Sequence, residues 1–351
     1  MSALGDALAP WQQRIYDQAV AAFDAGRLGH GLLLSGPALL GKRQVAERLA
    51  QRVLCRTPVG NGACGRCRDC TLFLSRSQAD PVEVRPDGTL AQPWGHPGHP
   101  DVTFIGYQFN EKTKKPRTEI VIEQIRALSE RLALTPQAGG AQVAIVDPAD
   151  AINHAAANAL LKTLEEPVPG RYLWLLAAHP QRLPATIRSR CQRVEFRLPP
   201  RAEALAWLQA RGHAAKAAGE ALEAARGHPG LADAWLRDGG LALRREVADE
   251  LAGLARGELA PIALAQRWTA DAQAVLRLEF AADLALQDAA RLTDPRRTRR
   301  LAAWFDAANR TRALLRTTVR PDLAVAELLL AWRMDAGAQA GQGRGTNEVR
   351  R

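Results

Sequence analysis

The fold is decided by residues 32–43, which read LLLSGPALLGKR. Three leucines lead into a Gly-Pro turn, and after a gap of four residues Gly41 and Lys42 open a helical pattern. This order of strand, loop and helix fits the frame G-x-x-x-x-G-K-[ST], a loop whose backbone N–H groups cradle phosphate. Arg43 stands where a Ser or Thr hydroxyl would contact Mg²⁺. Gly36, Gly41 and Lys42 are therefore candidate nucleotide-binding residues in a degenerate loop.

Composition limits the class of protein. The chain has 351 residues, enough for two or three domains, and 47% of them are hydrophobic. It contains no apolar run of about 18 residues, so we expect a soluble globular protein. The N-terminus lacks the basic and apolar regions of a secretion signal, which favours a cytoplasmic location. The formal charge of +10 would suit a polyanionic partner, but an arginine-rich composition also results from a GC-rich genome.

Four cysteines follow the helix of the loop. Their spacing is C-x8-C-x2-C-x2-C, at Cys55, Cys64, Cys67 and Cys70. Four thiolates in a loop rich in Gly and Arg can converge on a tetrahedral Zn²⁺ ion, so the pattern predicts a structural zinc site. Unligated thiols are one alternative and an iron–sulfur cluster is another, although the usual cluster run places its fourth Cys downstream and before a Pro.

Apolar strands alternate with amphipathic helices from residue 31 to residue 198, which predicts a parallel α/β sheet. The predicted helices span 11–26, 42–54, 118–133 and 153–167, and the predicted strands span 31–35, 141–147, 172–180 and 193–198. Residues 80–100 are rich in Pro and Gly and should form a surface loop. His96 and His99 lie in this loop, and solvated histidines are favoured there over a further metal site.

Beyond Pro199-Pro200 the pattern is helical up to residue 335, with breaks at 227–230 and 239–240. Residues 336–351 are low in hydrophobicity and are expected to be disordered.

Three segments then occur together in order: the cysteine cluster, NALLKTLEEP at 158–167 and SRC at 189–191. Together they resemble the bacterial clamp-loader subunits of DNA polymerase III, which belong to the AAA+ family. The resemblance covers nearly the whole chain. It implies a RecA-like AAA+ parallel-sheet domain, a small helical lid domain and an all-α C-terminal collar domain. The corresponding ranges are 1–198 with a zinc-binding insertion at 55–70, then 199–239, then 240–335, followed by the tail 336–351.

The resemblance also separates two branches of the family, the ATP-hydrolysing motor subunits (gamma/tau) and the delta-prime branch, which does not drive hydrolysis. Several catalytic groups of the motor are missing here. Arg43 replaces the hydroxyl residue, and Asp147 is followed by Pro148 in place of a Glu that polarises water. Ala177 and Ala178 stand where a polar sensor is expected, and GHPG at 227–230 lacks a sensor Arg. These departures favour the delta-prime branch, with the motor as the alternative.

On this interpretation ATP binding by the chain is doubtful and no intrinsic ATPase is expected. The chain would instead serve a DNA-directed DNA polymerase holoenzyme, a nucleotidyltransferase, as one of its subunits. Its implied partners are the motor (gamma/tau) and delta subunits in a hetero-oligomeric ring. The sliding clamp and primed DNA would be reached through that complex.

The SRC segment is the catalytic feature that remains. In the resembling family its Arg reaches the ATP bound by the neighbouring subunit, which makes Arg190 a candidate arginine finger with Ser189 and Cys191 as its motif. A guanidinium is permanently charged and can spread that charge over two phosphoryl oxygens. A lone Arg before a strand is otherwise an ordinary solvated residue, and Cys191 is expected to be a packed core thiol.

The C-terminal region carries a further group of arginines, which are Arg296, Arg297, Arg299, Arg300, Arg310, Arg312 and Arg316. Three interpretations stay open for them: a solvated helix face, a surface between subunits, and a nucleic-acid binding surface.

Overall fold

The computed structural model describes residues 7–86, 88–110, 113, 115–315, 317 and 319–342. The chain divides into two compact units, Met1–Asp233 and Ala234–Arg351. Each unit is described by itself. The division into three domains at residues 199 and 240 stays a prediction.

The first unit is built on a parallel sheet of five strands in the order β9-β1-β8-β7-β4. Two further pairs of very short strands, β2 with β3 and β5 with β6, are antiparallel. The strands are β1 Gly31–Ser35, β2 Arg76–Ser77, β3 His96–Pro97, β4 Val102–Ile105, β5 Phe109–Asn110, β6 Lys115–Pro116, β7 Gln142–Val146, β8 Arg171–Ala177 and β9 Gln192–Glu195.

The sheet is buried on both faces because alternate residues of its central strands enter two separate cores. Leu32 and Leu34 of β1 and Trp174 of β8 belong to one core, which helices α1 Pro10–Asp24 and α2 Lys42–Leu54 complete. Leu33 and Leu175 point to the other face. Strands that are apolar on both faces read as continuous apolar runs, which is why the sequence pattern revealed β1, β7 and β8.

The helices of the first unit alternate with the strands and then continue after the sheet. The last of them crosses the boundary between the two units. They are α1 and α2, then α3 Arg68–Leu74, α4 Ile122–Ala133, α5 His154–Glu165, α6 Ala185–Arg190, α7 Arg201–Ala210, α8 Ala215–Ala224 and α9 Pro229–Arg237. Helices α4 to α6 cover the second face of the sheet.

The second unit consists of helices and turns throughout its described residues. The helices are α10 Gly240–Arg256, α11 Pro261–Trp268, α12 Ala274–Ala290, α13 Pro295–Leu314 and α14 Pro321–Gln342. Indole groups connect them: Trp304 donates its Nε1–H to the Leu328 carbonyl at 3.0 Å and packs against Trp332 at 4.7 Å between ring centroids. No helix in the described part of the chain is both long and apolar enough to cross a bilayer.

The α/β sheet, the helical C-terminal part and the elements predicted from periodicity are confirmed, with shifted ends. Strand β4 was not predicted, because four residues after a Pro-rich segment give too short a pattern to detect. Residues 80–100 mostly lack regular structure, as expected, but Ala91 and Gln92 are buried, so the loop is partly internal. The tail predicted from residue 336 overlaps the end of α14, and residues 343–351 lie outside the described residues.

Candidate functional site

Residues 36–41, called the phosphate-loop segment, connect β1 to α2. Their backbone takes the conformation that the glycines of the motif allow. Gly36 and Gly41 have φ angles of 137° and 85°, in the region that favours glycine. A Cβ at Gly36 would lie 2.2 Å from the Phe196 carbonyl oxygen, so no larger residue fits. Lys42 Nζ donates to the carbonyl oxygens of Gly36 and Pro37, each at 2.6 Å. The ammonium that would bind phosphate is thus held by the loop itself, and burial lowers the pKa of Lys42 to about 8.

Arg43 occupies the place where the frame has a hydroxyl. Its guanidinium pairs with Glu47 at 2.5 Å and with Asp147 Oδ2 at 3.3 Å, and it stacks on the Phe104 ring at 4.1 Å from the centroid. It also donates to the side-chain oxygen of Gln92. Where the frame has a hydroxyl that binds Mg²⁺, this chain therefore has a guanidinium that pairs with the carboxylate of Asp147.

A second guanidinium reaches that carboxylate from the loop at 80–100. Arg85 Nη2 lies 3.0 Å from Asp147 Oδ2, the oxygen that Arg43 also contacts. Two positive charges on one carboxylate oxygen repel a divalent cation and occupy the space it would need. Asp147 follows its strand where P-loop hydrolases have the Asp that holds Mg²⁺, and here Arg43 and Arg85 already neutralise it.

Strand β2, which precedes this loop, is anchored to α2 by buried polar contacts. Glu47 is fully buried and pairs with Arg76 at 2.9 Å as well as with Arg43. Gln78 Nε2 donates to the Gln92 carbonyl at 2.9 Å. Periodicity could not have revealed Arg85 or Gln92, because both lie in a segment without regular structure.

The start of α9 closes on the phosphate-loop segment. His228 Nε2 lies 2.9 Å from the Ala38 carbonyl oxygen, and its Nδ1 accepts the Leu231 backbone N–H at 3.1 Å. A neutral imidazole with the proton on Nε2 satisfies both bonds. Burial lowers the pKa of His228, which favours this neutral form. A Cβ at Gly230 would lie 1.9 Å from the Leu39 carbonyl oxygen, so the approach requires glycine.

The four predicted cysteines converge. Their sulfur atoms all lie within 4.8 Å of one another, with Cys55 and Cys67 at 4.0 Å and Cys64 and Cys70 at 3.9 Å. Tetrahedral Zn²⁺ with Zn–S bonds of about 2.3 Å requires sulfur separations of about 3.8 Å, so these side chains fit a metal ion. The fifth cysteine, Cys191, is buried in the second core, where burial raises its pKa to about 11.

Hydrogen bonds favour the thiolate form of Cys64, whereas burial raises the pKa of Cys55 and of Cys70. Backbone N–H groups of Cys64 and Cys67 donate to the sulfurs of Cys55 and Cys64 at 3.3 and 3.2 Å. The Thr57 hydroxyl donates to Cys64 at 3.3 Å, and this contact leads the causes that lower the pKa of Cys64 to about 5. Donors aimed at sulfur stabilise the charged form, which is the form that binds metal.

The predicted finger residue is at the surface. Arg190 ends α6, its side chain is 37% exposed, and its Nη2 pairs with Glu165 Oε1 at 2.6 Å. Its Nη1 donates to the Thr186 carbonyl at 2.9 Å, and Ser189 Oγ donates to the same oxygen at 3.1 Å. The Glu165 carboxylate that pairs with Arg190 lies at the end of α5. At the end of β8, where hydrolysing subunits are expected to have a polar sensor residue, Ala177 is buried and apolar.

Replacing Arg85 with Gln should loosen the loop over Asp147. The variant removes one charge partner from a partly buried carboxylate, so the loop opens more often. We expect hydrogen exchange of the amides between residues 78 and 92 to become about tenfold faster. Arg182→Gln, at an exposed arginine, is the matched control. Equal exchange in the two variants would contradict this role for Arg85.

Acidification should weaken the contact between α9 and the phosphate-loop segment. The pKa of His228 is lower in the folded chain than its ordinary value of about 6.5. Below that value the unfolded chain therefore binds the proton more readily, and stability falls as pH falls. The free energy of unfolding, measured with denaturant at pH values of about 8 and 5.5, should change less between the two pH values in His228→Gln than in wild type. His154→Gln, at an exposed histidine, should retain the full difference.

Comparison with known proteins shows the family of the chain. A family model described as DNA polymerase III, delta subunit, matches residues 11–200. The chain is similar to DNA polymerase III subunit delta' of Pseudomonas aeruginosa, with 34% identity over 264 residues, which cover 74% of this chain and 70% of that protein. The corresponding protein of Escherichia coli is 31% identical over 199 residues, 57% of this chain and 52% of its own length. DNA polymerase III subunit tau of Salmonella typhimurium is 29% identical over 181 residues, 51% of this chain and 23% of its own length. The chain belongs to the DNA polymerase III delta-prime family.

Proposed function

We propose that this chain is a non-hydrolysing subunit of a clamp loader, in which it supplies Arg190 to ATP bound by a neighbouring motor subunit. It would support the ATP-dependent loading of a sliding clamp on primed DNA without turning over ATP itself. Its relatives are named as subunits of DNA polymerase III, and motor subunits are among the more distant ones. Motor (gamma/tau) and delta subunits are accordingly the partners we propose.

The observation that carries this proposal is the neutralised Asp147. Phosphoryl transfer in nucleotide hydrolases depends on a Mg²⁺ ion that bridges phosphate oxygens and on a group that positions the attacking water. Here Arg43 and Arg85 contact the carboxylate that would hold the ion, and Pro148 follows it where an acidic group is needed. The Lys42 ammonium is engaged by loop carbonyls. Each change removes a different part of the hydrolytic machinery, so the combination supports a chain without turnover.

Arg190 is suited to act outside its own chain. A finger must be charged, accessible and held in a defined direction before the partner's phosphate arrives. Glu165 fixes the guanidinium through one nitrogen while more than a third of the side chain remains exposed. Because that pair is solvent-accessible, it contributes little stability, and phosphate oxygens can replace the carboxylate readily. Helix α6 packs on the second core through Ile187, which gives the finger a rigid base.

The finger is tested in an assembled loader in which only the motor site facing this chain can hydrolyse ATP. Arg190→Ala should lower phosphate release at that site by about 10³-fold or more, because it removes charge that stabilises the transition state. Arg193→Ala, at an exposed arginine three residues away, is the control and should hydrolyse normally. Assembly of each variant is checked by sedimentation.

An unchanged rate in a fully assembled Arg190→Ala loader would overturn the proposed role. Phosphate release by the isolated chain, measured with ATP and Mg²⁺, separates this function from that of a hydrolysing motor. If the isolated chain hydrolyses ATP at a significant rate, the chain is better assigned as a hydrolysing motor subunit.

We further propose that the ion held by the four cysteines is structural Zn²⁺. Four thiolates around a closed site are typical of zinc modules, whereas a catalytic site keeps one position open. A bound ion would join the loop at 55–67 to helix α3 and so stabilise a segment with few regular elements. Asp69, the residue before Cys70, is buried and pairs with Arg56 at 2.5 Å within the module. Its other carboxylate oxygen lies 3.4 Å from His99 Nε2, which connects the module to the loop at 80–100.

The metal can be identified by elemental analysis of the purified chain. Wild type should contain about one zinc per chain, and Cys67→Ser should fall well below one because three thiolates bind zinc more weakly. Cys191→Ser should retain one equivalent, since that thiol lies in the apolar core. Iron in place of zinc, with absorption near 400 nm (roughly where such clusters absorb), would contradict the assignment.

The division into an α/β domain to residue 198, a lid at 199–239 and a collar at 240–335 is part of the same proposal. Within the first unit, the contact of His228 with Ala38 supports a lid that closes on the nucleotide side of the sheet. The helical content of the second unit supports a collar.

A further inference from the structure

We propose that the first two turns of α13 form a separate binding surface for the phosphate backbone of duplex nucleic acid. This surface, residues 295–302, is called the basic arm. It carries Arg296, Arg297, Arg299 and Arg300 within the sequence PRRTRRLA. The inference is independent of Arg190 and of nucleotide hydrolysis, and goes beyond the proposed function.

The basic arm takes no part in the packing of the second unit. All four arginines are exposed, and the first buried residue of α13 is Trp304. Thr298 and Leu301 are only partly buried. The packed part of the helix therefore begins after the arm, and the guanidinium groups face solvent.

Helical geometry gathers the four charges into one surface. With 3.6 residues per turn and a rise of 1.5 Å per residue, positions 296, 297, 299 and 300 span an arc of about 160° and an axial length of about 6 Å. Neighbouring phosphates of one strand are separated by a similar distance, since each nucleotide advances the duplex by about 3.4 Å along its axis while also rotating around it. Several guanidinium groups can thus contact successive phosphates at once.

The charges of the arm are not compensated within the chain. None of the four arginines forms an ion pair with a carboxylate of the described residues, and Arg299 donates only to the Pro295 carbonyl at 3.2 Å. The nearby Asp294 instead caps the helix by accepting the Arg296 backbone N–H at 2.9 Å. Other arginines of the second unit are paired, for example Arg277 with Asp271 at 2.6 Å.

This arrangement opposes stability in the free chain. Arg296 and Arg300 are four residues apart, and like charges at that spacing repel. Positive charges in the first turns also oppose the helix dipole. A binding partner that neutralises them removes both penalties, which points to a polyanion.

The surroundings of the arm favour nucleic acid over an acidic protein. Protein interfaces usually place apolar or aromatic side chains at their centre. Within residues 295–302 themselves, no large hydrophobic side chain is exposed. The arm itself offers no exposed aromatic ring for stacking of unpaired bases. Arginine forks that bind phosphate oxygens through two N–H groups need neither feature. The expected binding is therefore electrostatic, independent of sequence and directed at the duplex backbone.

The test uses the purified full chain, a fluorescent 30-base-pair DNA and titrations over a range of salt concentrations. The arm variant replaces Arg296, Arg297, Arg299 and Arg300 with Gln. The matched control makes the same replacement at four exposed arginines elsewhere, Arg27, Arg182, Arg193 and Arg201, so that both proteins have the same formal charge. A third protein carries Lys at the four arm positions.

In the arm variant the slope of log affinity against log salt should become shallower by about 3 to 4, because each lost phosphate contact contributes about 0.9. The control and the Lys variant should keep the slope of wild type. Equal slopes in the arm variant and wild type, or an equal loss in the control, would refute the proposal.

A stability measurement guards against a merely structural effect. Since the arm charges repel one another, the melting temperature of the arm variant at low salt should equal or exceed that of wild type. A clear decrease in melting temperature together with lost binding would mean that the arginines support the fold, and would also overturn the proposal.

Discussion

Asp147 directly follows strand β7, and its carboxylate is largely buried. A buried charge without a partner is strongly destabilising, so the molecule must balance it. In a nucleotide hydrolase that balance would come from a cation held with the phosphates. Here Arg43 and Arg85 provide it from within the chain. The balance is permanent, whereas a bound ion would come and go with the nucleotide.

The ion pairs of Asp147 with Arg43 and Arg85 also fix the neighbouring segments of the chain. Because Arg85 comes from the loop at 80–100, the loop is fixed against the sheet rather than free at the surface. Arg43 also pairs with Glu47, whose carboxylate is completely buried and pairs in turn with Arg76 of β2. One set of charges thus connects strand β2, the loop at 80–100, helix α2 and the residue after β7. The carboxyl end of β7, where hydrolases hold a catalytic cation, is here occupied by ion pairs within the chain.

Much of this could be predicted from local patterns. The strands β1, β7 and β8 are apolar on both faces and are bounded by turns, so they were visible without a structure. The cysteine spacing identified four residues that do converge, since short steps along the chain limit where their sulfurs can go. The loss of hydrolytic groups was also visible, because the remaining residues of a motif still identify the position at which one residue is replaced. Strand β4 and the contacts of Arg85 were not visible, since they lie in short or aperiodic segments. The contact of Glu165 with Arg190 was not visible because the two residues come from different helices.

By itself the sequence determined the parallel α/β sheet, the helical C-terminal part, the cysteine cluster and the position of Arg190 before the last strand. These features depend on periodicity and on spacing along the chain, which neighbouring residues encode. Only the tertiary structure decided what neutralises Asp147 and which residue holds Arg190. It also decided which arginines of α13 remain unpaired. Each of these is a contact, or a missing contact, between residues far apart in sequence, and no local pattern records it.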